Sequence, residues 1–306
     1  MRALITGISG FVGEYLRAEM ECAGYEVFGL NRSKQVQGSI VCDMLNPEDV
    51  KHALASIKPD VIFHLAGQAS VEASWKQPAE TVSENVICSV NLMEQVNRLG
   101  LHTSILLVGS ADQYGQVAAK DGVVQEDTML YPKSPYAVSK CAQEQMGLVY
   151  QRAYGMRIFF TRSFNHIGPG QSKGFVIPDI AQGIVEIERG EKSVLKVGNL
   201  QAKRDFTDVR DVVRAYRLIL EKGTPGVIYN VGSGRVYQIS DLLDMMISMA
   251  HCEIKVSVDL EKFRPMDSPI IQCNAQRLFL DTKWKPQKDI YTSLQEVLEH
   301  CRKMKI

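Results

Sequence analysis

The feature that most constrains this chain is a rhythm. From residue 2 to about 162, short β-branched apolar runs alternate with amphipathic stretches of helical length. The runs are "RALIT", "YEVFGL", "GSIVCD", "VIFHLA", "SILLVGS" and "RIFFTR"; the helical stretches lie near 11–22, 47–57, 78–99 and 135–153. Strands separated by helix-length crossovers suggest βαβ units and a parallel sheet buried on both faces. Right-handed crossovers then predict an α/β fold built on a doubly wound parallel sheet. After "NHIGPGQ" (165–171) the rhythm loosens. Helices are expected near 175–189, 208–221 and 240–250, with short strands near 194–197, 227–230 and 254–258. The chain therefore divides into a first lobe, 1–165, and a smaller C-terminal lobe, 166–306, some of whose segments return to the first. A ligand belongs in the cleft between them.

Composition narrows the function. Of 306 residues 45% are hydrophobic, and 35 lysines and arginines balance 35 aspartates and glutamates. A formal charge of zero argues against partners that depend on excess positive charge, so neither nucleic acid nor a membrane surface is expected. No window approaches 18 consecutive apolar residues, and no charged region followed by a signal-length apolar stretch opens the chain. Seven scattered cysteines without a CxxC pair support neither a zinc site nor a disulfide framework. A cytoplasmic protein with reduced thiols and no metal is the expectation.

"TGISGFVG" (6–13) follows the first strand and opens the first helix. Gly7, Gly10 and Gly13, with Phe11 and Val12 between them, are spaced for a tight turn that brings phosphates to backbone N–H groups at a helix N-terminus. That is a dinucleotide site. An NAD site usually places a carboxylate about twenty residues on. Here "FGLNRSK" offers Asn31 and Arg32 instead, and a guanidinium suits a 2′-phosphate. NADPH is expected, with NADH tolerated.

Two further features join this turn. "SILLVGSADQYG" reads as a buried strand ending in Ser110, and "SPYAVSK" sets Tyr136 one helical turn before Lys140, on the same face. Alone, the pair could be surface decoration and the serine a turn cap. Together with a dinucleotide turn they describe hydride transfer to a ketone, which leaves a charged oxygen to be protonated. A phenol can supply the proton, but its unperturbed pKa is about 10. A neighbouring ammonium would lower it. Tyr136 is then the acid/base, Lys140 its tuner and a holder of the nicotinamide ribose, and Ser110 the group that aims the substrate oxygen.

TGxxGxxG, Ser110 and YxxxK, running with the rest of the chain to its C-terminus, resemble the extended short-chain dehydrogenase/reductase family, which acts mostly on nucleotide sugars. The resemblance implies a Rossmann lobe followed by a substrate-binding lobe. It assigns Asp43, with Met44 beside it, to the adenine, and Leu65, Ala66 and Gly67 of "HLAGQAS" to the cofactor. Asn85 falls in the fourth helix, in a helix-stabilising or cofactor-side role, and Arg162 precedes the loop facing the nicotinamide. A homodimer through helices 78–99 and 135–153 is implied as well.

"SFNHIGPGQSKGFV", "VGNLQAKRDFTDVRD" and "RP" resemble the GDP-mannose branch of that family. By that likeness Asn165, Arg204 and Arg264 contact a diphosphate, Asn199 lines the same pocket, Asp267 holds the nucleoside, and Lys173 and Val176 sit near guanine or its ribose. Dehydratases of the branch carry a glutamate base two residues after the Ser/Thr. Here that position is Asp112, one methylene shorter, and a base misplaced by about an ångström can cost a hundredfold. Epimerase-reductases need a Cys/His pair, and no cysteine lies beside Ser110. A simple ketone reduction needs only what is present, and the resemblance implies NADPH-dependent reduction of the 4-keto group of GDP-4-dehydro-6-deoxy-D-mannose. The same residues would serve either C4 configuration, rhamnose or its talose epimer, and GDP-D-rhamnose is the expected product. The alternatives are a dehydratase using Asp112 and a non-catalytic NADP-sensing protein. His64 reads as a satisfied core histidine, Trp75 and Trp284 as packing residues, and Asp208 and Asp211 as helix caps or first-turn acids.

Overall fold

The computed structural model describes residues 1–32, 38–115, 122–263 and 270–304. The first units are β1 (Arg2–Thr6), α1 (Phe11–Cys22), β2 (Glu26–Asn31), β3 (Ser39–Val41), α2 (Pro47–Ile57) and β4 (Val61–His64). Then come α3 (Val71–Lys76), α4 (Pro78–Val82), α5 (Cys88–Arg98), β5 (Ser104–Ser110), β6 (Val123–Val124), α6 (Pro135–Tyr154), β7 (Arg157–Ser163) and β8 (Asn165–Ile167). The remainder holds α7 (Val176–Glu188), β9 (Leu195–Val197), β10 (Lys203–Asp208), α8 (Val209–Lys222), β11 (Ile228–Val231) and β12 (Val236–Gln238). It ends with α9 (Ile239–Ser248), β13 (Val256–Val258), β14 (Ile270–Cys273), α10 (Gln276–Thr282) and α11 (Ile290–Lys303).

The six apolar runs of the first half form a parallel sheet, ordered β3-β2-β1-β4-β5-β7 and completed at the far edge by β11. Order reverses between β1 and β4, so their C-terminal ends flank the crevice where such sheets bind ligands. One face packs on α1, α8 and α10 through Leu16, Met20, Val212, Tyr216 and Trp284. The other packs on α2, α5 and α6 through Leu54, Leu92, Ile105 and Phe160. The segment 209–231 thus returns to the first sheet: β11 pairs with β7, and α8 packs on α1. Trp284 is buried with its Nε1 donating to Asp211 O, as a packing residue should be. Trp75 is not; it is 52% exposed, because the short helix α3 turns it outward.

A third core, with Ile184, Leu195, Phe206, Leu242 and Leu294, lies under α7, α9 and α11. Its central strand is β10, a run the sequence pattern does not mark because four of the six residues of "KRDFTD" are charged. The charges are satisfied in place. Asp205 is fully buried and accepts from Ser233 N and Oγ, Gly234 N and Cys273 N. Burial pushes its carboxyl up to about 6 against those four donors, which pull it down. Asp208 caps α8 by accepting from Arg210 N, and Asp211 in the first turn accepts from Gln287 N and Lys288 N.

The helix expected over 78–99 is interrupted. Residues Ser83–Ile87 form a π turn between α4 and α5. The widened turn turns Asn85 inward, where its Oδ1 accepts from Gln68 N and its Nδ2 donates to Gln68 O and Ser139 Oγ. Such turns mark places where a side chain is inserted into the helical ladder. No helix among the described residues is long and apolar enough to cross a membrane.

Replacing Asp205 by Ala leaves four donors without their acceptor. We expect a loss of about 3 kcal/mol in urea unfolding, while an exposed control, Asp244→Ala, stays within about 0.5 kcal/mol.

Candidate active site

The C-terminal ends of β1, β4, β5 and β7 deliver the site. At the end of β1, Gly7 has φ +70°, and a Cβ there would come within 3.1 Å of the Ala66 backbone. A Cβ on Gly13 would meet Ile8 O at 2.5 Å and Gly7 O at 2.6 Å. The turn is therefore pressed onto the loop after β4 and closed on itself, which only glycine allows. Gly10 is the N-cap of α1 and supplies no side chain, so the first-turn N–H groups, those of Phe11 and Val12 among them, face the crevice without a side-chain cap. Those groups fit a pyrophosphate.

The loop is braced from β2. Asn31 is buried, its Oδ1 accepting from Ser9 N and Oγ and its Nδ2 donating to Ser39 Oγ. Its amide is thus committed to the turn itself. Arg32 is 70% exposed and pairs with Glu84 at 2.5 Å. Asp43 is exposed, with Oδ1 accepting from Leu45 N. Met44 turns away: its side chain is buried in the core under the sheet and its carbonyl accepts from Asn91 Nδ2. Leu65 and Ala66 are half-buried beside the turn. Gly67, at φ +148°, sits where a Cβ would be 2.4 Å from Asn85 Oδ1.

Tyr136 stands at N2 of α6, after Pro135 and the N-cap Ser134, whose Oγ accepts from Ala137 N. Its ring is 8% exposed and its hydroxyl shares a hydrogen bond with Ser110. Ser110 ends β5; its Oγ accepts from Asp112 N at 3.1 Å and its N–H donates to Gln113 Oε1 at 2.9 Å. Burial raises the Tyr136 phenol well above its usual pKa; the nearby charge of Asp112 adds to this, and the Ser110 bond offsets only part. Lys140 does not supply the expected lowering. Its ammonium is turned to Val108 O and Gln143 Oε1, each at 3.0 Å, and burial brings its own pKa down to about 8.

Arg162 is committed inside the fold. Its Nε and Nη2 donate to both oxygens of Glu144 at 2.9 and 2.7 Å, Nη1 donates to Glu126 O, and the guanidinium covers the Tyr114 ring. The group ties α6 to β7 behind the site and leaves no fork for a cofactor. Glu144 and Gln143 were not singled out from the sequence, yet a signal was there. Tyr136, Ser139, Lys140, Gln143 and Glu144 recur every three or four residues, and this polar stripe is the buried face of α6.

On the other side of the crevice, β8 and β10 pair in parallel with Asn165 opposite Phe206, which sets Asn165 and Arg204 on neighbouring strands. Asn165 is exposed and Arg204 half-buried, its Nη1 donating to Lys203 O. Asn199 Oδ1 accepts from Gln201 N. Lys173, largely exposed, lies 3.7 Å from Glu186, and Val176 opens α7. Arg264 and Asp267 lie outside the described residues. His166 stacks on Phe11 with ring centroids 6.1 Å apart, joining β8 to the start of α1. Its Nδ1 donates to Phe164 O, and burial keeps the ring neutral. All seven cysteines are free thiols, and among the described residues no three acidic, Cys or His side chains group as a metal site.

A parallel sheet in this order, with Ser110, Tyr136 and Lys140 at its C-terminal edge, defines a short-chain dehydrogenase/reductase of the extended kind. Within that class the chain belongs to the GDP-mannose 4,6 dehydratase family, whose model matches residues 4–297. It is 34% identical to the GDP-6-deoxy-D-mannose reductase of Pseudomonas aeruginosa, over 97% of this chain and 96% of that one. It is 29% identical to GDP-mannose 4,6 dehydratase 2 of Arabidopsis thaliana, over 99% of this chain and 88% of the relative. Among solved structures, RMD from Pseudomonas aeruginosa complexed with NADPH superposes with a TM-score of 0.89 at 34% identity, covering 98% of each chain.

A lysine whose pKa falls from the usual 10.5 to about 8 on folding binds fewer protons in the native state than in the unfolded one between those values. Stability must then rise with pH across that window. Relative to Lys140→Met, the wild-type protein should gain about 2–3 kcal/mol between pH 7 and 10.5, read from urea midpoints at each pH.

Proposed function

We propose that this chain reduces the 4-keto group of GDP-4-dehydro-6-deoxy-D-mannose with NADPH, giving GDP-D-rhamnose. The observation that carries the reading is the residue two places after Ser110: it is Asp112, one methylene shorter than the glutamate base of the dehydratases, while the Ser110–Tyr136 pair that a ketone reduction needs is in place. The likeness to a GDP-6-deoxy-D-mannose reductase supports the same direction.

NADPH lies, in this reading, with its pyrophosphate on the glycine turn and Arg32 near its 2′-phosphate. Asp43 faces the adenine, and Leu65–Gly67 border the crevice toward the nicotinamide. When bound, the dihydronicotinamide supplies a hydride. Ser110 donates to the substrate carbonyl oxygen and orients it, and Tyr136 delivers its proton to that oxygen as negative charge develops. Lys140 holds the nicotinamide ribose and stabilises the phenolate left behind. Asn165, Asn199, Arg204 and Arg264 take the diphosphate, with Lys173, Val176 and Asp267 on the nucleoside side. In this division residues 1–165 carry the cofactor and catalysis and 166–306 mainly the sugar nucleotide. A homodimer forms through the outward faces of α4, α5 and α6, where Val82, Ile87, Val138 and Val149 are exposed. The second reading, dehydration with Asp112 as the base for the C5 proton, rests on that residue's being still a carboxylate two places after Ser110, near enough to Tyr136 for its charge to be felt there.

Incubation with NADPH and GDP-mannose, with and without an added dehydratase, separates the two. NADPH should be consumed only when the dehydratase supplies the keto-sugar; keto-sugar formed from GDP-mannose by this protein alone would overturn the proposal. Tyr136→Phe should lower kcat by about 10²–10⁴ with KM for the keto-sugar little changed. In the free enzyme kcat/KM should fall above about pH 8, where Lys140 loses its proton, and Lys140→Met should lack that limb.

A further inference from the structure

We propose that His64, Ser89 and Gln143 are positioning residues for Lys140: two arms of hydrogen bonds, one from the turn after β4 through His64 and one from Lys140 through Gln143, both donate toward Ser89 and fix where the lysine's remaining N–H points. The proposal rests on Lys140 serving the reaction proposed above. The side chains of the two arms come from four elements, β1, β4, α5 and α6, and of these side chains only that of Lys140 borders the site.

Ala66 N donates to Thr6 Oγ1 at 3.0 Å, and Thr6 Oγ1 lies 2.9 Å from His64 Nδ1. His64 Nε2 lies 2.8 Å from Ser89 Oγ. Ser89 Oγ donates to Asn85 O at 2.8 Å and accepts from Gln143 Nε2 at 3.0 Å. Gln143 Oε1 then accepts from Lys140 Nζ at 3.0 Å.

The direction follows from counting protons. Asn85 O can only accept, so the single hydroxyl proton of Ser89 is committed to it. Both other partners of Ser89 must therefore donate. His64 accordingly carries its proton on Nε2, leaving Nδ1 bare to accept from the Thr6 hydroxyl, whose oxygen is already taking the Ala66 N–H. The other tautomer would leave no hydrogen between His64 Nε2 and Ser89 Oγ, and would take from the Thr6 hydroxyl the acceptor of its own proton. Thr6, His64, Ser89 and Gln143 are all buried, so water cannot replace a bond that is lost. Burial, reinforced by the charge of Lys140, keeps His64 neutral, with its pKa pushed down to about 3.

The consequence reaches the site through the Gln143 amide. Because its nitrogen is drawn to Ser89, its oxygen is the end that faces the ammonium. An ammonium has three N–H groups; Val108 O and Gln143 Oε1 take two. Two fixed acceptors stop the group rotating and aim the third. The other arm begins at Ala66, so the loop against the glycine turn and the lysine are tied to one hydroxyl, that of Ser89.

The test uses the full chain. In ¹⁵N-histidine-labelled protein, with His64→Gln for assignment, His64 should be neutral and protonated on Nε2 throughout about pH 6–8. Gln143→Met should raise the NADPH dissociation constant about fivefold and lower kcat about tenfold, the scale of one hydrogen bond to a charged group. KM for the keto-sugar should move less than about twofold, since the substrate lobe is untouched. His64→Gln, whose amide N–H can reach Ser89, should recover most of the kcat that His64→Leu loses. A residue that merely fills the core would shift the thermal midpoint without that split or rescue. A cationic or Nδ1-protonated His64 overturns the proposal, as does a Gln143→Met variant with NADPH affinity and kcat both within about twofold of wild type. Failure of the wild-type protein to reduce the keto-sugar would sink the reaction proposed above; the His64 tautomer and the NADPH affinity of Gln143→Met would still decide this one.

Discussion

The structure turns on a charge taken out of water. Lys140 is 7% exposed, and an ammonium at that depth is costly unless its protons are met. Two are met by Val108 O, inside β5, and by Gln143 one turn along the same helix. This requires α6 to lie against the sheet with its polar stripe inward, opposite to the usual arrangement of a packed helix. Polar groups on the facing elements answer the stripe: Asn85 meets Ser139, Ser89 meets Gln143, and Gln113 and Arg162 meet Glu144. The apolar core holds the layers together. The polar layer fixes how they are aligned, since a helix shifted by one residue would leave most of these groups buried without partners.

Much of the first lobe was legible because its signals are local. Apolar runs such as "SILLVGS" and the turn "TGISGFVG" name their own structure, and Pro135 after Ser134 marks where α6 begins. What escaped depends on partners far along the chain. β10 is mostly charged and becomes a strand because Ser233, Gly234 and Cys273 meet Asp205. The π turn is set by Gln68, seventeen residues from Asn85, and Met44 faces the core although its neighbour Asp43 faces solvent.

The site shows the same limit. Spacing was enough to set Ser110, Tyr136 and Lys140 at one strand edge, since helical periodicity and strand ends are short-range facts. It was not enough for their electrostatics. The expectation that Lys140 lowers the tyrosine pKa is not met: the ammonium is turned to Val108 O and Gln143, and burial, which belongs to the whole fold, raises the phenol. Arg162 likewise reads as a free cation until Glu144 is seen opposite it.

The return of β11 to the first sheet carries a consequence for how the protein is made. A ribosome that has released residues 1–165 has issued six of the seven strands, but β7 then ends the sheet with an open edge, and the apolar face of α1 waits for α8. Both are supplied by residues 209–231, after β8, α7, β9 and β10 have emerged. The nascent segment 1–165 is therefore an adhesive intermediate rather than a finished domain. The two lobes must mature together, and the intervening chain is the first material at hand to shield that edge.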